Sequence, residues 1–144
     1  GEIPVLSKIL GLNLPLKPKS TASKRDRAAL WIGPDEWLVI DDADSAVAAD
    51  LAKAKILHSA VDISHRNVGI LVSGKGADAV INGGCPQDLS LAVFPVGAAS
   101  RTVLGKIEII LWRLAETEFR VECWRSFSSY AYAFLQESAR DAAL

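Results

Sequence analysis

Asp62, Ser64 and His65 place the residue types of a hydrolytic triad within four consecutive positions. Nucleophilic catalysis of that kind needs hydroxyl, imidazole and carboxylate to converge in one hydrogen-bonded line. On a strand Asp62 and Ser64 point to one face and His65 to the other, so the three cannot meet without a sharp bend. Turn chemistry fits better: Asp62 or Ser64 satisfies turn donors, and His65-Arg66-Asn67 connects to the next strand. A second constellation, Gly74-Lys75-Gly76-Ala77-Asp78-Ala79, reads G-x-G-x-x-A after an apolar run. In a dinucleotide site such glycines let the backbone approach a pyrophosphate at a helix N-terminus. The acid expected about 20 residues downstream to hold a ribose is missing, with Phe94-Pro95-Val96 near its place, so a plain strand-to-helix turn is expected. His58 lies on an apolar run with no second ligand at helical spacing, and Cys85 and Cys123 are 38 residues apart, so no metal site is expected. The cysteines read as free thiols of a reducing cytoplasm. Asp41-Asp42 and Asp44 read as cap and turn residues.

With no catalytic, cofactor or metal residues assigned, attention passes to aromatic and arginine anchors. Trp31 and Trp37 bracket one turn, and Trp112 and Trp124 fall on opposite faces of a later hairpin. A core absorbs two tryptophans, and aromatic and Arg residues are enriched where proteins meet. The interface candidates are Trp31, Trp37, Arg113, Arg120 and Trp124.

The elements that must position these residues are legible from periodicity. Ala29–Ile32 and Trp37–Ile40 are β-rich runs around Gly33-Pro34-Asp35-Glu36, which reads as a four-residue hairpin loop. Asp44 is the expected cap of a helix carrying Val47, Ala48, Leu51 and Ala52 on one face. Leu57–Ile63 and Val68–Val72 read as strands, followed by a short helix with Ala77, Val80 and Ile81, stopped by Gly83-Gly84 and Pro86. Val103–Leu114 and Phe119–Trp124 read as a hairpin around 115–118. That loop pairs Leu114 with Phe119, Trp112 with Val121, Ile110 with Cys123 and Glu108 with Arg125. Phe127, Tyr130, Ala131, Phe134, Leu135 and Ala139 follow the spacing of an amphipathic helix lying on a sheet. Paired hairpins with few crossovers predict an α+β fold, with helices on one face of mostly antiparallel sheets.

The chain of 144 residues carries 16 Lys+Arg against 17 Asp+Glu, a net charge of -1, and 50% of it is hydrophobic. One domain of this size buries a real core without disulfides or metal. The near-neutral balance and a pI of about 6.1 give no phosphate-neutralising field, so no nucleic-acid role is expected. The longest stretch without charge, Leu89–Ser100, is 12 residues, too short to span a membrane. No secretory signal is visible. The chain lacks Met, so Gly1 is not read as the encoded start, and a longer native N-terminus is expected. Mean hydropathy of +0.22 exceeds what a lone domain needs and suggests apolar surface meant for a partner. Residues 1–27 carry six basic groups and two acidic ones, and 35–62 carry seven acidic groups and two basic ones. The first segment, with Pro15 and Pro18 and no clear period, is expected to be an extended basic arm, solvated or lying on an acidic surface. Residues 28–144 are expected to form a single α+β domain.

Five segments then carry a resemblance: Trp31-Ile-Gly-Pro-Asp-Glu-Trp-Leu38, Val61-Asp-Ile-Ser-His-Arg-Asn67, Gly84-Cys-Pro-Gln-Asp-Leu89, Phe94 with Gly97 and Arg101-Thr102, and Arg125-Ser-Phe-Ser-Ser-Tyr130. In this order the chain resembles the gamma subunit of heterotetrameric sarcosine oxidase. That family is similar to the folate-binding fold of glycine-cleavage aminomethyltransferases, whose Asp-x-Ser-His and Gly-x-x-Ala turns correspond to Asp62–His65 and Gly74–Ala79. The fold leaves room for two small, intimately packed subdomains. The resemblance implies a noncatalytic, cytoplasmic subunit that binds no cofactor itself. It implies alpha, beta and delta subunits as partners, with FAD, FMN, NAD, tetrahydrofolate and zinc carried by those other chains. The implied assembly demethylates sarcosine to glycine, reduces oxygen to peroxide and yields 5,10-methylenetetrahydrofolate. Ile107-Glu108 stands where the aminomethyltransferases carry an acidic pair, so the pair is broken. The alternative is a freestanding folate-binding accessory protein using the same fold.

Overall fold

A computed structural model describes residues 1–143. The chain divides into two compact units, Gly1–Ile63 and Ser64–Leu144, rather than into an arm and one domain.

In the first unit, residues 1–27 are not an extended arm. Helix α1 spans Glu2–Leu10, and Gly11 closes it in the left-handed conformation (φ 72). Pro4 is tolerated because the first-turn amides have no intrahelical partner to lose. Ile3, Leu6 and Leu10 give the helix an apolar side, and with Leu12 and Leu14 they pack against Ala29. That burial holds the segment in place, so the solvated-tail reading fails with the extended one. The chain continues into β1 (Thr21–Lys24), β2 (Arg27–Gly33) and β3 (Glu36–Ile40), an antiparallel sheet in that order. Gly33 faces Glu36, so the loop is only Pro34-Asp35, with Asp35 at φ 56, a left-handed position its short polar side chain tolerates. Helix α2 covers Val47–Ala52. Its cap position is Ala46 rather than Asp44, and Ser45 just before it accepts at Oγ from Val47 N–H at 3.1 Å. Leu57–Ile63 forms no strand. It is instead a connection in which both ring nitrogens of His58 lie 2.8 Å from carbonyl oxygens, those of Ile56 and Leu51.

The second unit contains β4 (Asn67–Ser73), α3 (Ala77–Asn82), β5 (Ala99–Leu104), β6 (Ile107–Ala115), β7 (Glu118–Trp124), a 3₁₀ turn and α4 (Ser128–Ala142). The strands form one antiparallel sheet in the order β4-β7-β6-β5. Ile109, Leu111, Phe119, Val121 and Cys123 line its core face, where Ala77 and Ile81 of α3 and Ala131 and Leu135 of α4 cover them. Helices on one face of antiparallel strands make the α+β class that the sequence predicts. Close approach fixes α4 on the sheet: a Cβ on Gly84 would strike the Phe134 ring, and one on Gly105 would strike the Tyr130 hydroxyl. Tyr130 Oη also accepts from Lys106 N–H at 3.2 Å.

The register of the β6–β7 hairpin differs from the expected one. Arg113 faces Phe119, Leu111 faces Val121 and Ala115 faces Glu118, with the ladder shifted at Leu114. The loop is therefore Glu116-Thr117, and every pair moves by one residue. Because side chains alternate, that slip exchanges the two faces of β6, whereas Phe119, Val121 and Cys123 keep the core face of β7. Ile109, Leu111 and Arg113 point to the core, while Ile110, Trp112, Arg120, Glu122 and Trp124 share the opposite face. Glu108 consequently pairs with Arg101 at 2.9 Å, not with Arg125.

Candidate partner-binding surface

The outward face of the second unit's sheet is built by strand alternation. Across β4 and β7 it presents Gly69, Leu71, Arg120, Glu122 and Trp124; across β5 and β6 it presents Arg101, Val103, Glu108, Ile110 and Trp112. Trp124 is 65% exposed and Leu71 62%. The Trp124 ring stacks on Phe127, centroids 5.9 Å apart and planes 6° from parallel. That is a large, rigid aromatic surface at the point where β7 runs into α4. Aromatic anchors of this kind carry much of the binding energy where proteins associate.

Beside it Arg120 Nε donates to Glu122 Oε1 at 2.5 Å, and Asn67 Nδ2 donates to Glu122 Oε2 at 2.5 Å. Glu122 is buried, and both of its oxygens are engaged. The room for this arrangement comes from Gly69, where a Cβ would lie 2.7 Å from Arg120 Nε and 2.8 Å from Glu122 Oε1. On the other side of the strand, burial first and the Glu122 charge second push the Cys123 thiol above its ordinary value. Cys123 therefore stays a protonated, inert thiol. Cys85 is also free and buried.

The five interface candidates meet different environments. Trp124 is at the surface and Arg120 is half-exposed within its ion pair. Trp31 is half-buried opposite Trp37. Trp37 packs into the first unit's core and donates from Nε1 to the Pro15 carbonyl at 2.6 Å. Arg113 is the clear correction, being 3% exposed. Its Nη1 donates to Leu89 O at 2.8 Å and Phe94 O at 2.6 Å, and its Nη2 to Glu116 O at 2.8 Å. Its guanidinium also lies 4.7 Å from the centre of the Phe119 ring. It anchors the 89–98 connection from inside and presents nothing to a partner. Leu71 and Tyr132 are surface apolar residues that the sequence reading passes over, while Phe127, expected on the sheet-facing stripe of the last helix, lies in the 3₁₀ turn before it and is partly exposed. For Leu71 the signal was its alternation with Ile70 and Val72. For Tyr132 it was its place off the Ala131–Leu135 stripe.

The chemistry-bearing motifs settle into structural roles. Asp62 and Ser64 lie at the boundary between the units, and exposed His65 accepts at its carbonyl from Arg125 Nε at 2.9 Å. Gly74 (φ 106) and Gly76 (φ 86) turn β4 into the six-residue α3, and Gly74 N–H donates to Thr117 O at 2.9 Å. Among the described residues no three His, Cys, Asp or Glu groups are placed to hold a metal ion. Among them, no helix is long and apolar enough to cross a membrane.

Comparison with known proteins agrees along nearly the whole chain. Residues 3–141 match the model of the sarcosine oxidase, gamma subunit family. The sarcosine oxidase subunit gamma of Corynebacterium sp. (strain P-1) is 31% identical over 138 residues, 94% of this chain and 68% of that protein. The subunit gamma of an Arthrobacter species is 34% identical over 119 residues, 81% of this chain and 59% of that protein. This chain thus spans about two thirds or less of the length of these relatives. A chain in the structure of heterotetrameric sarcosine oxidase from Corynebacterium sp. U-96, in complex with pyrrole 2-carboxylate, superimposes with a TM-score of 0.92. The identity is 27%, covering 98% of this chain and 74% of that one. The chain belongs to the sarcosine oxidase gamma subunit family.

Proposed function

We propose that this chain is a noncatalytic, structural subunit of a heterotetrameric sarcosine oxidase, associating in the cytoplasm with alpha, beta and delta subunits. The observation that carries the reading is the match of 98% of the chain, at a TM-score of 0.92, to a chain of such an assembly. The arrangement of its own residues supports a structural role. Glu108 is spent on Arg101, the glycine turn opens a helix too short to form an anion site, and Cys123 is held protonated. In this reading FAD, FMN, NAD, tetrahydrofolate and zinc reside on the other subunits, and the assembly oxidises sarcosine to glycine with formation of peroxide and 5,10-methylenetetrahydrofolate. The Trp124–Phe127 stack is the first place to look for a contact.

Coexpression with the large subunits, followed by affinity purification through one of them, tests the proposal. The chain is expected to copurify at low micromolar concentration. Its absence from the eluate, together with a stoichiometric binding heat when the isolated chain is titrated with a reduced folate, would replace this reading with that of a freestanding folate-binding protein.

A further inference from the structure

Strand β4 lies at the edge of its sheet. It pairs with β7 over seven consecutive residues without a shift in register. An edge strand offers a row of unpaired N–H and C=O groups, and proteins blunt such edges with lysines, prolines or bulges, or cover them. Asn67-Val68-Gly69-Ile70-Leu71-Val72-Ser73 contains no charge, proline or bulge. Beside it runs a groove of about 480 Å³, walled by Ile70 and Val72 of β4, Val80 of α3, and Leu135 and Ala139 of α4. No β7 residue lines it, so it opens on the unpaired side of β4. The core is unfinished at this margin: Phe119 and Val121 are fully buried, whereas Val72 and Ile70, their cross-strand neighbours, are only half-buried.

Charge narrows the choice of occupant. Among the described residues that line it, Lys75 is the single charged one and none carries a carboxylate, and Lys75 makes no ion pair with any described residue. At the other end of β4 stand Arg66, just before the strand, and Arg125, whose main-chain N–H donates to Arg66 O at 2.6 Å and whose Nε donates to His65 O at 2.9 Å. Antiparallel pairing of two copies across this edge would set Lys75 of each against Arg66 of the other, a like-charge contact that disfavours self-association.

We infer that β4 receives an extended segment of a partner subunit as an added strand. Alternate apolar side chains of that segment fill the groove over Ile70, Val72 and Leu135, and carboxylates near its ends meet Lys75 and the Arg66–Arg125 pair. The inference rests on the subunit reading and adds to it the site and chemistry of one contact.

Hydrogen exchange read by mass spectrometry on residues 67–73 compares the isolated chain with the purified complex. Amides on the open edge are expected to exchange about tenfold more slowly, or slower still, in the complex. Charge reversal by Lys75→Glu is expected to weaken association by up to about fivefold, and Lys75→Arg to leave it intact. A complex that forms while 67–73 exchanges as in the isolated chain overturns this inference and leaves the subunit reading standing. Protection that grows with the concentration of the isolated chain, or that a longer natural form of the chain shows alone, overturns it in favour of a second copy or a segment of the same polypeptide. A complex that never forms removes both readings.

Discussion

Each of the two units is tied together by one arginine, and the two are held in opposite ways. In the first unit Arg27 Nε reaches Asp41 Oδ2 at 2.6 Å and its Nη1 reaches Leu10 O at 2.8 Å. Ser45 Oγ joins Asp41 Oδ2 at 2.6 Å, so the cluster links the end of α1, the start of β2, the exit of β3 and the approach to α2. In the second unit Arg113 meets no carboxylate among the described residues: three backbone carbonyls and the face of Phe119 receive its charge. A carboxylate partner makes the first hub titratable, while a carbonyl cage makes the second indifferent to pH but intolerant of losing its cation. The contrast separates what buried charge can do, since a cage of oriented dipoles fixes a loop as firmly as an ion pair does.

The largest effect should come from the cage. Arg113→Ala is expected to destabilise the protein by about 3 kcal/mol or more, because the carbonyls of Leu89, Phe94 and Glu116 lose a charged donor in a buried place. Denaturant unfolding measures it. Arg113→Lys should recover only a part, since a single ammonium cannot reproduce the planar fork. If Lys restores full stability, the cage is mere charge neutralisation and the contrast weakens.

An intermediate effect belongs to the titratable hub. The Ser45 hydroxyl, with the Arg27 guanidinium, holds the Asp41 carboxyl below its ordinary value of 3.8 against an opposing effect of burial. A lowered folded-state value means that the contribution is complete above 3.8 and is lost as pH falls through the folded value. Thermal unfolding between pH 5 and strong acid should show this loss in the wild type, and Asp41→Asn should reduce the slope while lowering stability at neutral pH. The Arg113 contribution should show no such loss.

The smallest effect lies at Asp42, whose carboxyl is pushed above 3.8, first by the charge of Asp26. Here the sign reverses: the folded state disfavours the charged form, a cost present at neutral pH that disappears as pH drops below 3.8. Asp42→Asn is expected to raise the melting temperature slightly at pH 7 and to leave it unchanged at pH 3.

The same two regions differ in how legible they were. In the second unit, the 3,4 spacing of Ala131, Phe134 and Leu135 located α4, and Ala77, Val80 and Ile81 located α3. The β6–β7 hairpin is legible but its register is not, because taking 115–118 as the loop misses the shift at Leu114, which composition does not report. In the first unit, Pro15 and Pro18 make the segment read as extended and hide α1, whose burial depends on Ala29 and Val39, strands away in sequence. Leu57–Ile63 has the composition of a strand but makes no pairing, and composition cannot report a missing partner. Of the surface anchors, Trp124 was legible as an aromatic left over by the core. Its stacking on Phe127 was not, since it depends on the 3₁₀ turn that follows β7.

The most direct test of the central claim is the mass of the intact assembly, measured by native mass spectrometry after purification through a large subunit. A complex of four different subunits containing one copy of this chain is expected. An oxidase of full activity whose mass leaves no place for this chain, with the chain itself recovered alone, would contradict it.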